Sequence, residues 1–185
     1  MSDSHLHERR FHGGPERLRA SARVALLDVG NVVQLSVQGL RINSVLDVGT
    51  GTGIFADAFF RLSLRVTGID PNSELLTAAR ENVPGGEFIE AIGEELPFKD
   101  GSFDLVFLGH VLHETDDPAK ALGEARRVAL KRVAILEWPY RQEEHGPPLE
   151  HRLQPVRIEG LAKEAGFHSV ERIELKHMDL YRLSP

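Results

Sequence analysis

The sequence predicts an α/β fold: a mostly parallel sheet, helices on both faces, and one antiparallel strand in a C-terminal hairpin. Three observations predict it. Short apolar runs alternate with helix-spaced apolar patterns from residue 43 to residue 166, and such alternation builds a parallel sheet through right-handed crossovers. The run Val45–Val48 enters Gly49-Thr50-Gly51-Thr52-Gly53 directly, and a helix pattern (Ile54, Phe55, Ala58, Phe59, Leu62) follows at once. Two alternating segments, 168–175 and 177–183, are joined too closely for a crossover, so one of them runs against the rest.

Residues 1–14 carry Arg9, Arg10, Phe11 and the histidines His5, His7 and His12. They read as a flexible arm or a lid over a bound ligand, and the irregular histidine spacing does not suggest a metal site. Pro15 suits the first position of a helix, continued by Leu18, Ala22, Ala25 and Leu26. Asp28, Gly30 and Asn31 punctuate, and a second short helix covers Val32–Val37 before Gly39. The first strand is Asn43–Val48, its crossover helix Ile54–Leu62, and the second strand Arg65–Ile69. Pro71-Asn72-Ser73 opens the next helix with Asn72 or Ser73 as its cap and Leu75, Leu76 and Ala79 facing inward. Pro84-Gly85-Gly86 ends it before a third strand, Glu87–Ile92. Lys99–Ser102 is a turn by composition, and Phe103–Gly109 is an unbroken apolar strand of the buried parallel kind. Asp116-Asp117-Pro118 caps a helix over Ala119–Val128, and Arg126, Arg127, Lys131 and Arg132 complement its negative end. The fifth strand is Arg132–Trp138. Residues 139–155 form a long loop rich in Pro, Glu and His, a length usually functional or disordered. Pro155 or Val156 begins the last helix and Gly166 ends it.

The glycine turn carries the chemistry. Glycines at alternate positions let the backbone pass close to a ligand, and the N–H groups opening the following helix suit an acidic or polar group. Asp47 stands at the carboxyl end of the first strand, the edge where open α/β sheets bind ligands. Asp70 ends the second strand about 20 residues past Gly49, where an acid takes ribose hydroxyls. The dinucleotide fingerprint wants a third glycine at position 54, which is Ile54. The pattern is that of a nucleoside site and not of NAD.

Val45–Gly53, Asp70, the run Gly93-Glu94-Glu95-Leu96-Pro97-Phe98, and Phe103-Asp104-Leu105-Val106 with His113-Glu114 downstream resemble the class I S-adenosylmethionine-dependent methyltransferases. The likeness is nearest to the small enzymes grouped with the ubiquinone/menaquinone biosynthesis methyltransferases, and it covers residues 43–137 well and the flanks weakly. It implies a Rossmann-like, doubly wound, seven-stranded sheet with its last strand antiparallel, and S-adenosyl-L-methionine as cofactor. The residues expected to hold the cofactor are Asp47, Gly49, Thr50, Gly51, Thr52, Gly53, Asp70, Pro71, Gly93, Glu94 and Gly109. The family's usual adenine-binding acid falls on Ile92, so Glu94 or a backbone carbonyl takes that role here.

At 185 residues the chain suits one domain: a cofactor core over 43–138, then a substrate-side loop, helix and hairpin over 139–185. There are no cysteines, which excludes disulfides, thiolate zinc sites and cysteine nucleophiles and counts against the arsenite-methylating relatives. A net charge of −6 argues against a nucleic-acid substrate. No apolar run approaches the ~18 residues of a membrane span, and the polar N-terminus is no signal peptide, so a cytoplasmic protein is expected. The implied reaction is in-line methyl transfer to a small-molecule acceptor, which needs donor and acceptor held at near-attack distance. A base is needed where the nucleophile carries a proton. The candidates are His113, Glu114 and His110, which follow the fourth strand; no metal is expected, since His110, His113, Glu114 and His145 match no standard ligand spacing. The alternative is a catalytically silent cofactor-binding module or a subunit of a larger assembly.

Overall fold

The computed structural model describes residues 18–185; the expected N-terminal arm and the helix start at Pro15 lie outside them. The elements are α1 (Ser21–Leu27), α2 (Val29–Val37), β1 (Ser44–Val48), α3 (Ile54–Arg61), β2 (Arg65–Asp70), α4 (Ser73–Asn82), β3 (Glu87–Glu90), β4 (Phe103–Gly109), α5 (Pro118–Val128), β5 (Ala129–Glu137), α6 (Pro155–Glu164), β6 (Ser169–Glu174) and β7 (Asp179–Ser184). One seven-stranded sheet runs β3-β2-β1-β4-β5-β7-β6. β1 to β5 pair in parallel, and β7 is antiparallel to both β5 and β6. This is the predicted doubly wound sheet with one reversed strand.

Side chains of a strand alternate between the two faces of a sheet, and the core divides accordingly. On one face Val45, Leu105 and Phe107 pack with Leu27, Val32, Val33, Phe55, Phe59, Leu76 and Ala79, from α1 to α4. On the other, Leu46, Val48, Val106 and Leu108 pack with Ala121, Leu122, Ile158 and Leu161, from α5 and α6. β1 and β4 are buried throughout apart from Gly109, which is partly exposed at the end of β4, as strands covered on both faces must be.

The caps follow the sequence. Asn72 accepts from the amides of Glu74 (2.9 Å) and Leu75 (3.2 Å) at the start of α4, and Asp117 accepts from Lys120 N (3.0 Å) ahead of Pro118 in α5. The cations near the end of α5 hold the scaffold together. Arg127 bridges Glu124 and Asp100, Lys131 pairs with Asp104, and Arg132 donates to the carbonyls of Ser36 and Gln38.

Several boundaries differ from expectation, those of β3, β5 and α2 among them. β3 stops at Glu90, because Glu94 reaches back to the Asp116 amide (2.8 Å) and Ile92 makes a single bridge to Glu95. β5 begins at Ala129, straight out of α5, and a register shift against β4 between Phe103 and Leu105 accommodates the early start. α2 begins at Val29: Asp28 takes a left-handed conformation (φ 47) between α1 and α2 and accepts from Asn31 Nδ2 (2.9 Å).

Candidate functional site

From β1 the chain winds outward to β2 and β3, then returns to β4 on the other side of β1. The connections at the carboxyl ends of β1 and β4 therefore leave in opposite directions, and the gap between them is the crevice where open sheets bind ligands. A cavity of about 1160 Å³ opens there. It exceeds the ~300–1,000 Å³ usual for one small molecule, which leaves room for two ligands side by side.

The β1–β3 half is built on the glycine turn. Gly49, Gly51 and Gly53 all have positive φ (66, 53 and 78). At Gly49 the positive φ strains any other residue, and a Cβ would also run into the Val111 side chain. Thr50 N donates to Ile69 O (2.9 Å), pinning the turn to the end of β2. Asp70 receives Gly51 N and Asn72 N on its two oxygens, at 2.9 Å each; a carboxylate has lone pairs for further donors beyond these.

Of the residues expected at the cofactor, Gly49, Thr50, Gly51, Thr52, Asp70, Pro71, Gly93, Glu94 and Gly109 line the cavity. Asp47 and Gly53 do not. Asp47 lies beneath the turn, where it accepts from Thr50 Oγ1 (2.8 Å) and the Ala56 amide. Burial pushes its carboxyl up to about 7; those two hydrogen bonds pull it down and the charge of Asp70 pushes it up. Glu94 reaches the cavity while its Oε1 accepts from Asp116 N. Ile92, at the position of the missing adenine acid, lines the same wall.

The β4–β5 half carries the candidate catalytic groups. His113 sits in a single 3₁₀ turn, Leu112–Glu114, after β4. Its Nδ1 lies 2.7 Å from Glu137 Oε2, and its backbone N donates to Glu137 Oε1 (3.2 Å). One carboxylate at the end of β5 thus fixes both the main chain and the ring of the same histidine. With Nδ1–H donated, the neutral ring keeps its lone pair on Nε2. Glu114 Oε1 lies 3.8 Å from that nitrogen, beyond hydrogen-bond reach. Burial lowers the His113 pKa, but the charge and hydrogen bond of Glu137, aided by Glu114, outweigh it and hold the group above its usual value.

Glu114, expected from the sequence as a candidate base, does not orient the His113 ring; Glu137 does. The available signal was an acid closing the apolar run Val133–Leu136. His110 takes a left-handed backbone (φ 60), donates its amide to Leu136 O (2.8 Å), and stacks on Trp138 with ring centroids 4.8 Å apart. It is not hydrogen-bonded to His113 or Glu137. Its ring nitrogens have no partner among the described residues, and burial, with the charges of His113 and Arg23, holds its pKa well below the ordinary value.

The loop after β5 closes this half with Gly146, Pro147 and His151. Buried Arg152 clasps it: the guanidinium donates to the carbonyls of Pro139 (3.0 Å), Arg141 (2.9 Å), His145 (2.6 Å) and Pro147 (2.9 Å) and lies 5.7 Å from the Trp138 ring centroid. Gly146 packs so close to Trp138 that a Cβ would meet the indole at 2.6 Å. Arg23 reaches in from α1. Nothing in the sequence pattern marked Arg23 or Arg152.

Comparisons with known proteins agree with this architecture. Residues 46–135 match the family described as "Methyltransferase domain". Demethylmenaquinone methyltransferase of Chlorobaculum tepidum is 38% identical over 93 residues, 50% of this chain and 38% of that protein. The enzyme of the same name from Thermotoga maritima is 36% identical over 110 residues, 57% of this chain and 48% of that one. The chain thus spans less than half the length of these curated relatives. A solved SAM-dependent methyltransferase from Aquifex aeolicus superposes with a TM-score of 0.82 at 26% identity, covering 91% of this chain and 95% of that one.

Proposed function

We propose, from the premise that residues 46–135 are a methyltransferase domain of the S-adenosylmethionine-dependent class, that the protein methylates a small-molecule acceptor with His113 as general base. The observation that carries this reading is the preformed His113–Glu137 pair, whose histidine lines the switch-point cavity. A silent binding module has no need of a histidine held at both its backbone and its ring.

The residues present fit the cofactor. Asp70, at the end of β2, suits the ribose hydroxyls, and the Gly49–Gly53 turn gives close backbone approach. The carboxylates of Asp70, Glu94 and Glu114 around one cavity favour a ligand with cationic groups. When bound, S-adenosylmethionine supplies a methyl group on a sulfonium whose leaving group is a neutral thioether. The chain's own task is to align the acceptor with that methyl. His113 Nε2 takes the acceptor's proton as the new bond forms, and Glu137 stabilises the resulting imidazolium. Glu114, on the same turn, adds negative charge near Nε2.

Among the described residues no helix is long and apolar enough to cross a membrane. We read the protein as a cytoplasmic enzyme that does not act on nucleic acid, on its net charge of −6. The chain would work as a single unit, with residues 139–185 forming the acceptor side.

The test uses S-adenosylmethionine labelled in the methyl group and a metabolite extract as acceptor pool, with products read by mass spectrometry. A labelled small molecule is expected with wild-type protein. His113→Ala is expected to lower turnover roughly a hundredfold or more while S-adenosylhomocysteine binding stays within about threefold. Lost cofactor affinity in that variant would reassign His113 to binding.

A further inference from the structure

Five buried side-chain atoms lack a hydrogen-bond partner among the described residues: Arg23 Nε, Thr52 Oγ1, both ring nitrogens of His110, and Arg126 Nε. All but Arg126 Nε belong to residues lining the cavity. Buried polar groups are nearly always paired, so orphans gathered at one cavity point to a ligand that completes them. Thr52 stands in the cofactor half. His110 and Arg23 stand in the acceptor half, where the bound methyl donor is not expected to reach.

Their chemistry is specific. His110 is 7% exposed and fixed by its stacking on Trp138. As a neutral ring it offers one N–H donor and one lone pair. Arg23 brings a guanidinium from α1 and makes no side-chain hydrogen bond or contact-distance ion pair with a described residue. The acid whose charge reaches it is Glu114. The buried acid Glu137 is engaged by His113. A cationic acceptor group would meet Arg23 unfavourably, and an apolar one would supply neither group with a hydrogen-bond partner. An oxyanion answers both, because a guanidinium and an imidazole N–H are both donors.

Resting on the reading of this half as the acceptor site, we propose that Arg23 and His110 form an anion-binding subsite, so that the methyl acceptor carries a carboxylate or an oxyanion of similar size. The anion anchors the acceptor at Arg23 and His110, and the atom to be methylated is turned toward His113. His110 is then a specificity-determining residue and not the base.

The same chemistry has a second source, the carboxylate of the cofactor's own amino-acid end, and the experiment separates the two. Wild-type protein saturated with S-adenosylhomocysteine is titrated with benzoate, phenylacetate and succinate, each beside its amide. The signal is the fluorescence of Trp138, the chain's single tryptophan. At least one carboxylate is expected to bind at least tenfold more tightly than its amide. Arg23→Gln should abolish that preference, a loss of roughly tenfold to a hundredfold, and Arg23→Lys should restore part of it. His110→Asn, which tolerates the left-handed backbone, should weaken the same anion. Saturation by none of the carboxylates, equal binding of acid and amide, or an unchanged preference in Arg23→Gln would overturn the subsite. So would Arg23→Gln weakening S-adenosylhomocysteine but not methylthioadenosine, which lacks the amino-acid end. Failure of wild-type protein to bind S-adenosylhomocysteine would instead sink the cofactor reading, and the same titrations without it then decide the subsite alone.

Discussion

At the scale of single residues, two buried carboxylates act in opposite ways. Glu137 holds His113 and raises its basicity, whereas Asp47 is itself destabilised as an anion. For His113 the consequence is kinetic. As the proposed general base, His113 works only when neutral, so kcat should climb with pH along a limb lying above the ordinary histidine value of about 6.5. Glu137→Gln removes the charge that raises this pKa. The limb should therefore move to lower pH, while the plateau falls roughly tenfold or more because the ring loses its fixed tautomer; a pH–rate profile of the two proteins checks both. For Asp47 the consequence is thermodynamic. The folded protein holds a proton on this carboxyl up to about pH 7, against about 4 in the unfolded chain. Its contribution is full below that window and is lost as pH rises through it. Asp47→Asn keeps an acceptor for Thr50 and does not titrate, so its melting temperature should fall less between pH 5 and 7 than that of wild type. An equal fall in both proteins would assign the effect to another group.

At the scale of elements, the loop between β5 and α6 is held by one side chain. Arg152 ties four carbonyls together against Trp138, so Arg152→Met should free the loop without touching the glycine turn. Trp138 emission should shift to the red and amides of residues 140–148 should exchange faster, with S-adenosylhomocysteine affinity changed less than about threefold. Unaltered emission would mean that the loop is held by other contacts. This clasp was illegible in the sequence: an arginine in a polar stretch looks like a solvated charge, and its partners are main-chain oxygens that carry no residue code. The strands and crossover helices were legible because burial on both faces leaves unbroken apolar runs and helical spacing. The end of β3 was not, since Ile92 extends the apolar pattern while the side chain of Glu94, bonded to Asp116 N, turns the chain away. Glu137 shows the intermediate case. Its position at a strand end was readable, but its bond to His113 depends on β4 and β5 lying side by side, which only the assembled sheet supplies.

At the scale of the whole molecule, winding order creates the site. Because the chain returns from β3 to pair β4 against β1, the glycine turn and the His113 turn face each other across one crevice. The proposed nucleoside half rests on Gly49–Gly53 and Asp70, whose spacing is local to consecutive elements and so was readable in the sequence. The proposed acceptor half draws on α1, β4, β5 and a distant loop, and so only pieces of it were readable in the sequence. The measurement that bears most directly on this division is a calorimetric titration with S-adenosylhomocysteine of wild-type protein, Asp70→Ala and His113→Ala. Micromolar binding by wild type, a loss of about tenfold or more in Asp70→Ala, and near-wild-type binding in His113→Ala are expected. Equal affinity in wild type and Asp70→Ala, or no binding to wild type at all, would contradict a nucleoside site at the β1–β2 edge.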